Sequence, residues 1–378
     1  MVKRPPSDAF KNTGVEASLM VDLFKPYKIG GLEIRNRFVR SATTCAWSDE
    51  NGVVRDEMIR YYEQLAKGGV GLIIKGHLYI DPRGKAHVGM AGIHDAVVIP
   101  NLKALTDTVH RHNGAIFAQI NFGGYQASAG ERMGPSDYQG KDWKARAMST
   151  TEIWNIVDKF GAAAERAIHA GFDGVQIHAA HGYLVSEFLS KHTNIRTDEW
   201  GGPLRNRINL LHEVYDEIRN RIGFDIPVAM KINCDDFSRD GFTVDEAAQV
   251  AHVMAVRGID IIEVSGGGIG QEDQYRYRAK HSDPILSEVN FAGHCEKIRD
   301  NTKPKTLALV NGFSTLTAMQ TVVDHGIADL ISMSRPLIRE PDLVKKLQLG
   351  QKEASCIRCD ACHATGVFSK EMLRCQLD

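Results

Sequence analysis

The chain has 378 residues, 43% hydrophobic and 25% charged, with a formal net charge of −1. That balance supplies no strong field to draw it to nucleic acid or to a membrane surface. It has no membrane-length apolar run, and the N-terminus (MVKRPPSDAFKNTG) lacks a signal peptide's apolar core, so a soluble, cytoplasmic protein is expected.

In chain order, short apolar or β-branched runs predict strands at Phe38–Ser41, Val70–Lys75, Ala115–Ile120, Gly174–His178, Val228–Ile232, Ile259–Val264, Thr306–Val310 and Leu330–Met333. Longer amphipathic stretches separate them. One runs from a capping-box-like Thr151 to a glycine stop at Gly171, and Thr243 to Gly258 repeats that design. Eight strand–helix units fit a (β/α)8 TIM barrel, an α/β fold; a doubly wound sheet is the alternative that the same alternation allows. The expected organisation is an N-terminal extension over 1–20, the barrel over 21–345 and a short C-terminal cysteine-rich extension over 346–378.

A barrel carries its active site at the C-terminal ends of its strands. The residues there are Ala42, Thr43 and Thr44 after the first strand, then Lys75, Gly76 and His77, then Gln119 and Asn121. The fourth strand ends at His178, with His181 and Tyr183 just beyond; the fifth carries Lys231 and Asn233. Ser265 to Gly268, Asn311 with Gly312, and Ser334 with Arg335 complete the ring. A lone histidine at a strand end is more often a hydrogen-bonded structural residue. Two of them with a tyrosine, a lysine and a glutamine point to a site instead. Lys231 sits in the apolar run VAMKIN and needs a partner, because burying an unpaired charge is costly; an anionic ligand or a carboxylate elsewhere in the fold would serve. VNGFSTLTAM and MSRPLIREP each turn from strand to helix, as the phosphate site of such barrels does. The glycines at 266–268 lack the spacing of a Rossmann fingerprint.

LFKPYKIGGLEIRNRFV, YYEQLAKGGVGLII, AGFDGVQIHAAHGYLVSEFLS, NIRTDEWGGPLRNR and ADLISMSRPLIREP together resemble the old yellow enzyme family of FMN-dependent ene-reductases, over roughly residues 21 to 345. The resemblance implies FMN at the barrel mouth, with its phosphate at Gly312, Ser334 and Arg335. It places the flavin ring beside Ala42, Thr43, Thr44, Gly76, His77, Gln119 and Lys231. Many relatives carry arginine where Lys231 stands; lysine keeps the charge but not the planar fork. His178 and His181 are implied to hold the activating oxygen of an electron-poor alkene, and Tyr183 to protonate its α-carbon. NADH or NADPH is the implied reductant, a small activated alkene the implied partner, and a homo-oligomer, dimer or tetramer, the implied state. Two departures lie near the pocket: Ala42 replaces a usual proline, and NFGGY (Asn121 to Tyr125) replaces a His-Ala-Gly-Arg-like run.

Four of the seven cysteines, Cys356, Cys359, Cys362 and Cys375, crowd together near the C-terminus. In a reducing compartment this suggests metal before disulfide. CIRCDACHATGVFSKEMLRC resembles the segment after the barrel in the dienoyl-CoA reductase and trimethylamine dehydrogenase branch, where four cysteines hold a [4Fe–4S] cluster. Here the third cysteine comes one residue early, and zinc accepts four thiolates equally well. Relatives in that branch continue into further nucleotide-binding domains; with the sequence ending at Asp378, a barrel without them is expected. Three functions stay open: an ene-reductase, an iron–sulfur flavoprotein exchanging electrons with a carrier protein, and a non-redox sugar-phosphate barrel.

Overall fold

A computed structural model describes residues 20–128, 130–269, 281–303, 305–364 and 373–377. The expected N-terminal extension lies outside the described residues, apart from Met20. Eight parallel strands close into a barrel in simple chain order: β1 Phe38–Arg40, β2 Leu72–Tyr79, β3 Ala115–Asn121, β4 Gly174–Ala179, β5 Val228–Asn233, β6 Ile261–Ser265, β7 Thr306–Val310 and β8 Leu330–Met333. Closure decides against the doubly wound sheet, because β8 pairs back onto β1, with Ser332 opposite Val39. Helices follow the strands in turn: α1 Asp56–Lys67, α2 Ile99–His110, α3 Thr150–His169, α4 Asn209–Ile222, α5 Val244–Arg257, α6 Ala292–Arg299, α7 Leu316–Asp324 and α8 Leu343–Gln348.

Local chemistry explains the helix limits and corrects one of them. Ser149, not Thr151, caps α3: its hydroxyl accepts the Glu152 N–H while the Glu152 carboxylate accepts the Ser149 N–H. Gly171 takes the left-handed turn beyond its end, with φ 83°. Thr243 and Glu246 form the same reciprocal cap on α5, which Gly258 ends at φ 106°. The second strand starts later than expected and runs on past Lys75 through a bulge before Leu78. Lys75 has the outward parity. Its ammonium lies 5.9 Å from the Tyr62 ring of α1, away from the barrel mouth.

Side chains two apart on a strand point the same way, so alternation layers the barrel interior. At the bottom Val39, Leu72, Phe117, Ala229, Ile261, Ala308 and Leu330 pack on Ile29 and Ile34 of an antiparallel floor hairpin. Burying a Leu or Phe side chain this fully is worth about 1.5–3 kcal/mol. One step up, the same parity presents Ser41, Gln119, Gln176, Lys231, Glu263 and Ser332, all buried. A further step up stand Thr43, His178, Ser265 and Ser334. The barrel therefore passes from apolar floor to polar layer to candidate site.

Candidate active site

A cavity of about 420 Å³ opens at the C-terminal mouth. Ala42, Thr43, Thr44, His77, Gln119, His178, His181, Tyr183, Lys231, Gly312, Ser334 and Arg335 all line it. Gly76 does not. A side chain there would collide with the Thr43 backbone, so this glycine lets β2 approach the chain leaving β1.

One wall is a cluster of rings. His178 lies 5.2 Å from His181, 4.8 Å from Tyr183 and 5.7 Å from His77, centroid to centroid. The Ala180 N–H donates to His178 Nδ1 at 3.4 Å, which leaves the proton of a neutral imidazole on Nε2. His181 is held at φ 62°; its N–H donates to Asn233 Oδ1 at 3.0 Å, and its Nε2 lies 2.7 Å from Ser265 Oγ. Burial, then repulsion from neighbouring rings and lysines, pushes His77 and His178 well below the ordinary histidine range. Burial and Lys231 bring His181 down to about 3. All three are neutral near neutral pH. The Tyr183 hydroxyl lies 3.2 Å from Nε2 of His87, a half-buried residue on the loop after β2.

Beneath the cavity, Lys231 finds its carboxylate partner. Glu263 Oε2 is 3.3 Å from Lys231 Nζ, which also donates to Ser41 Oγ at 2.8 Å. Of the two partners open to Lys231, the structure supplies a side chain on the neighbouring strand, where the two residues stand in register. Burial pulls the Lys231 pKa down, and Glu263 offsets part of that. Burial would raise the Glu263 pKa, but Lys231 and hydrogen bonds from Ser332, Gln176 and Ser41 hold it below the usual carboxylate value.

The opposite wall comes from the turns after β7 and β8 and from the tail. Thr43 Oγ1 lies 2.8 Å from Ser334 Oγ. Gly312 adopts φ 102°, and a side chain there would run into the Glu288 carbonyl. Arg335 pairs with Asp360 and donates to Asn311 Oδ1 at 3.3 Å. Cys356, Cys359, Cys362 and Cys375 are free thiols around a second cavity of about 20 Å³, and Arg335, Ile338, Asp360 and Cys362 line both cavities. Among the described residues, no three His, Cys, Asp or Glu side chains are placed to hold a metal ion.

Sequence reading missed Glu263, Gln176, His87 and Gln126, whose amide donates to the carbonyls of His181 and Gly182 at 2.7 Å. Glu263 did carry a signal: IIEVS, like VAMKIN, is an apolar strand with one charge at inward parity.

The model of the NADH:flavin oxidoreductase / NADH oxidase family matches residues 22–354. The chain belongs to this family. It is 30% identical over 370 residues to the NADH oxidase of Thermoanaerobacter brockii, covering 94% of this chain and 56% of that protein. The chain thus spans about half the length of that relative. Among solved structures, a 2-naphthoyl-CoA reductase in complex with 2-naphthoyl-CoA is similar over 94% of this chain and 56% of its own, with TM-score 0.87 and 27% identity. The old yellow enzyme homologue of Zymomonas mobilis is similar over 89% of this chain and 95% of its own, with TM-score 0.75 and 28% identity. The old yellow enzyme resemblance read from the motifs is borne out. No described helix is long and apolar enough to cross a membrane.

Proposed function

We propose that the protein is an FMN-dependent oxidoreductase that moves a hydride from NADH or NADPH to a small activated alkene: an enone, an enoyl ester or a nitroalkene. The observation that carries this reading is the convergence of His178, His181 and Tyr183 with Gln119 and Lys231 on one cavity at the barrel mouth. The donor set fits FMN. Arg335 and the backbone of the turn at Gly312 suit a phosphate, while Thr44, Gln119 and Lys231 suit the polar edge of a flavin. When bound, FMN supplies the two-electron chemistry that accepts a hydride and gives it up again.

The protein's own groups do the rest. His178 offers Nε2–H, and His181, with Nε2 engaged by Ser265, offers Nδ1. Both rings suit the carbonyl or nitro oxygen on which negative charge grows. As neutral rings they donate without adding a buried cation beside Lys231. Tyr183 holds the proton that goes to the α-carbon, and His87 orients its hydroxyl. Purified protein should show flavin absorption bands and consume NADH or NADPH when a cyclic enone is added. A colourless protein that takes up no FMN contradicts the reading.

The cysteine cavity favours a second reading, an iron–sulfur flavoprotein that exchanges electrons with a carrier. Cys356, Cys359, Cys362 and Cys375 are the donor types that a [4Fe–4S] cluster or a zinc ion requires, although among the described residues no three of them are placed as ligands, so binding would have to draw them together. Anaerobic purification without chelators should yield iron with acid-labile sulfide, or zinc. Finding neither removes the metal and leaves the simple ene-reductase.

A further inference from the structure

Glu263 is fully buried on β6, and none of the roles above uses it. A buried carboxylate is expensive unless counter-charged and fully hydrogen-bonded. Here both oxygens are occupied. Oε1 accepts from Ser41 Oγ at 2.8 Å and Ser332 Oγ at 2.6 Å. Oε2 accepts from Gln176 Nε2 at 2.8 Å and faces the Lys231 ammonium at 3.3 Å.

These bonds have a direction. An ionised carboxylate can only accept. Gln176 must therefore turn its NH₂ to Glu263 and its carbonyl oxygen to Gln119. That oxygen accepts from Gln119 Nε2 at 2.7 Å. Gln119, which lines the cavity, is left with its carbonyl oxygen and one N–H to offer a ligand. An amide rotated by half a turn would present the opposite pattern, so the charge on β6 decides what the amide on β3 displays. The same carboxylate offsets the burial that lowers the Lys231 pKa. The other charged or titratable groups acting with Lys231 are Arg40, His77, His178 and His181. None of them carries a negative charge, so Glu263 is its counterion.

We propose that Glu263 is a positioning residue: through Gln176 it sets which amide atoms Gln119 shows to the cofactor, and by pairing it keeps Lys231 charged beneath the cavity. This deepens the FMN reading and rests on it.

The test compares FMN-loaded wild type with Glu263→Gln, Gln176→Leu, the double variant and Glu263→Asp. FMN dissociation constants are measured by fluorescence, and flavin midpoint potentials from about pH 6 to about pH 10, a span that ends near the ordinary lysine pKa. Glu263→Gln and Gln176→Leu should each raise the dissociation constant roughly tenfold, the scale of one lost charge-assisted hydrogen bond. The double variant should bind no worse than Glu263→Gln alone, because both changes cut one relay. Glu263→Gln should also add a titration to the potential as Lys231 loses its proton. Gln176→Leu should not add it, and Glu263→Asp should abolish it by restoring the charge.

A folded Glu263→Gln protein with wild-type affinity and no added titration overturns the proposal. If Glu263→Gln does not fold, an unchanged dissociation constant in Gln176→Leu overturns it. Wild-type protein that takes up no FMN sinks the FMN reading itself, and the proposal with it.

Discussion

The two walls of the cavity handle charge in opposite ways. On the β2–β4 side, His77 and His178 are buried, His181 is half-buried, and all three are held neutral, with uncharged donors facing the cavity. On the β7–β8 side stands a guanidinium, Arg335, which is 26% exposed and already paired with Asp360, itself 45% exposed. A neutral, dry donor strengthens as charge develops on a ligand and needs no counterion. A hydrated cation beside backbone amides holds a permanent anion. Under the proposed function the fold thus separates chemistry from anchoring. Strand ends and the turn after β4 build the first wall, and the turns after β7 and β8 build the second.

Stripping the neutral wall should cost most. Replacing His178 and His181 together by alanine should slow enone reduction about 10³-fold or more, since a single such donor is worth about 10²–10³. It should also weaken phenolic ligands, which mimic an enolate, while FMN content stays normal. A loss of FMN in parallel would mean that the walls are not separate. Arg335→Ala probes the other side. FMN affinity should fall roughly tenfold, with turnover of the saturated enzyme nearly unchanged. Slow turnover at saturating FMN would assign Arg335 to the chemistry.

The smallest effect is on stability. Folded His181 titrates at about 3, against an unfolded value near 6.5. Between those values the unfolded chain binds more protons, so this contribution is whole above about pH 6.5 and is lost as pH falls toward 3. His181→Asn should flatten the fall in Tm between pH 7 and pH 5 by about 2 °C per pH unit. An unchanged slope would mean that folded His181 keeps an ordinary histidine pKa.

The barrel and the polar layer at the base of the cavity were legible because both follow strand parity, and the turn residues of the candidate site were legible through the family motifs. Phe117, Gln119 and Asn121 alternate inward on β3, as Ala229, Lys231 and Asn233 do on β5, and a reader of the sequence can count by twos. The Lys231–Glu263 pair was less legible. Its register depends on which strands become neighbours, and that is settled only when the sheet closes. His87 lies on a loop, where no periodicity marks which way a side chain points, and its approach to Tyr183 spans 96 positions in the chain. Lys75 misled because a charge at the end of an apolar run looks like a site residue until the parity of β2 is counted. Ser149 hid behind Thr150 and Thr151, three hydroxyl residues in a row that cap equally well until Glu152 selects one.

The central claim is that Tyr183 gives a proton in the alkene half of the reaction and takes no part in the nicotinamide half. Rapid mixing separates the halves in wild type and in Tyr183→Phe. Flavin reduction by NADH or NADPH should run at the wild-type rate, and reoxidation by a cyclic enone should slow by about 10²–10⁴-fold. Equal slowing of both halves, or an enone rate equal to wild type, would contradict the account and return Tyr183 to packing against Tyr79, Ala86 and Met90.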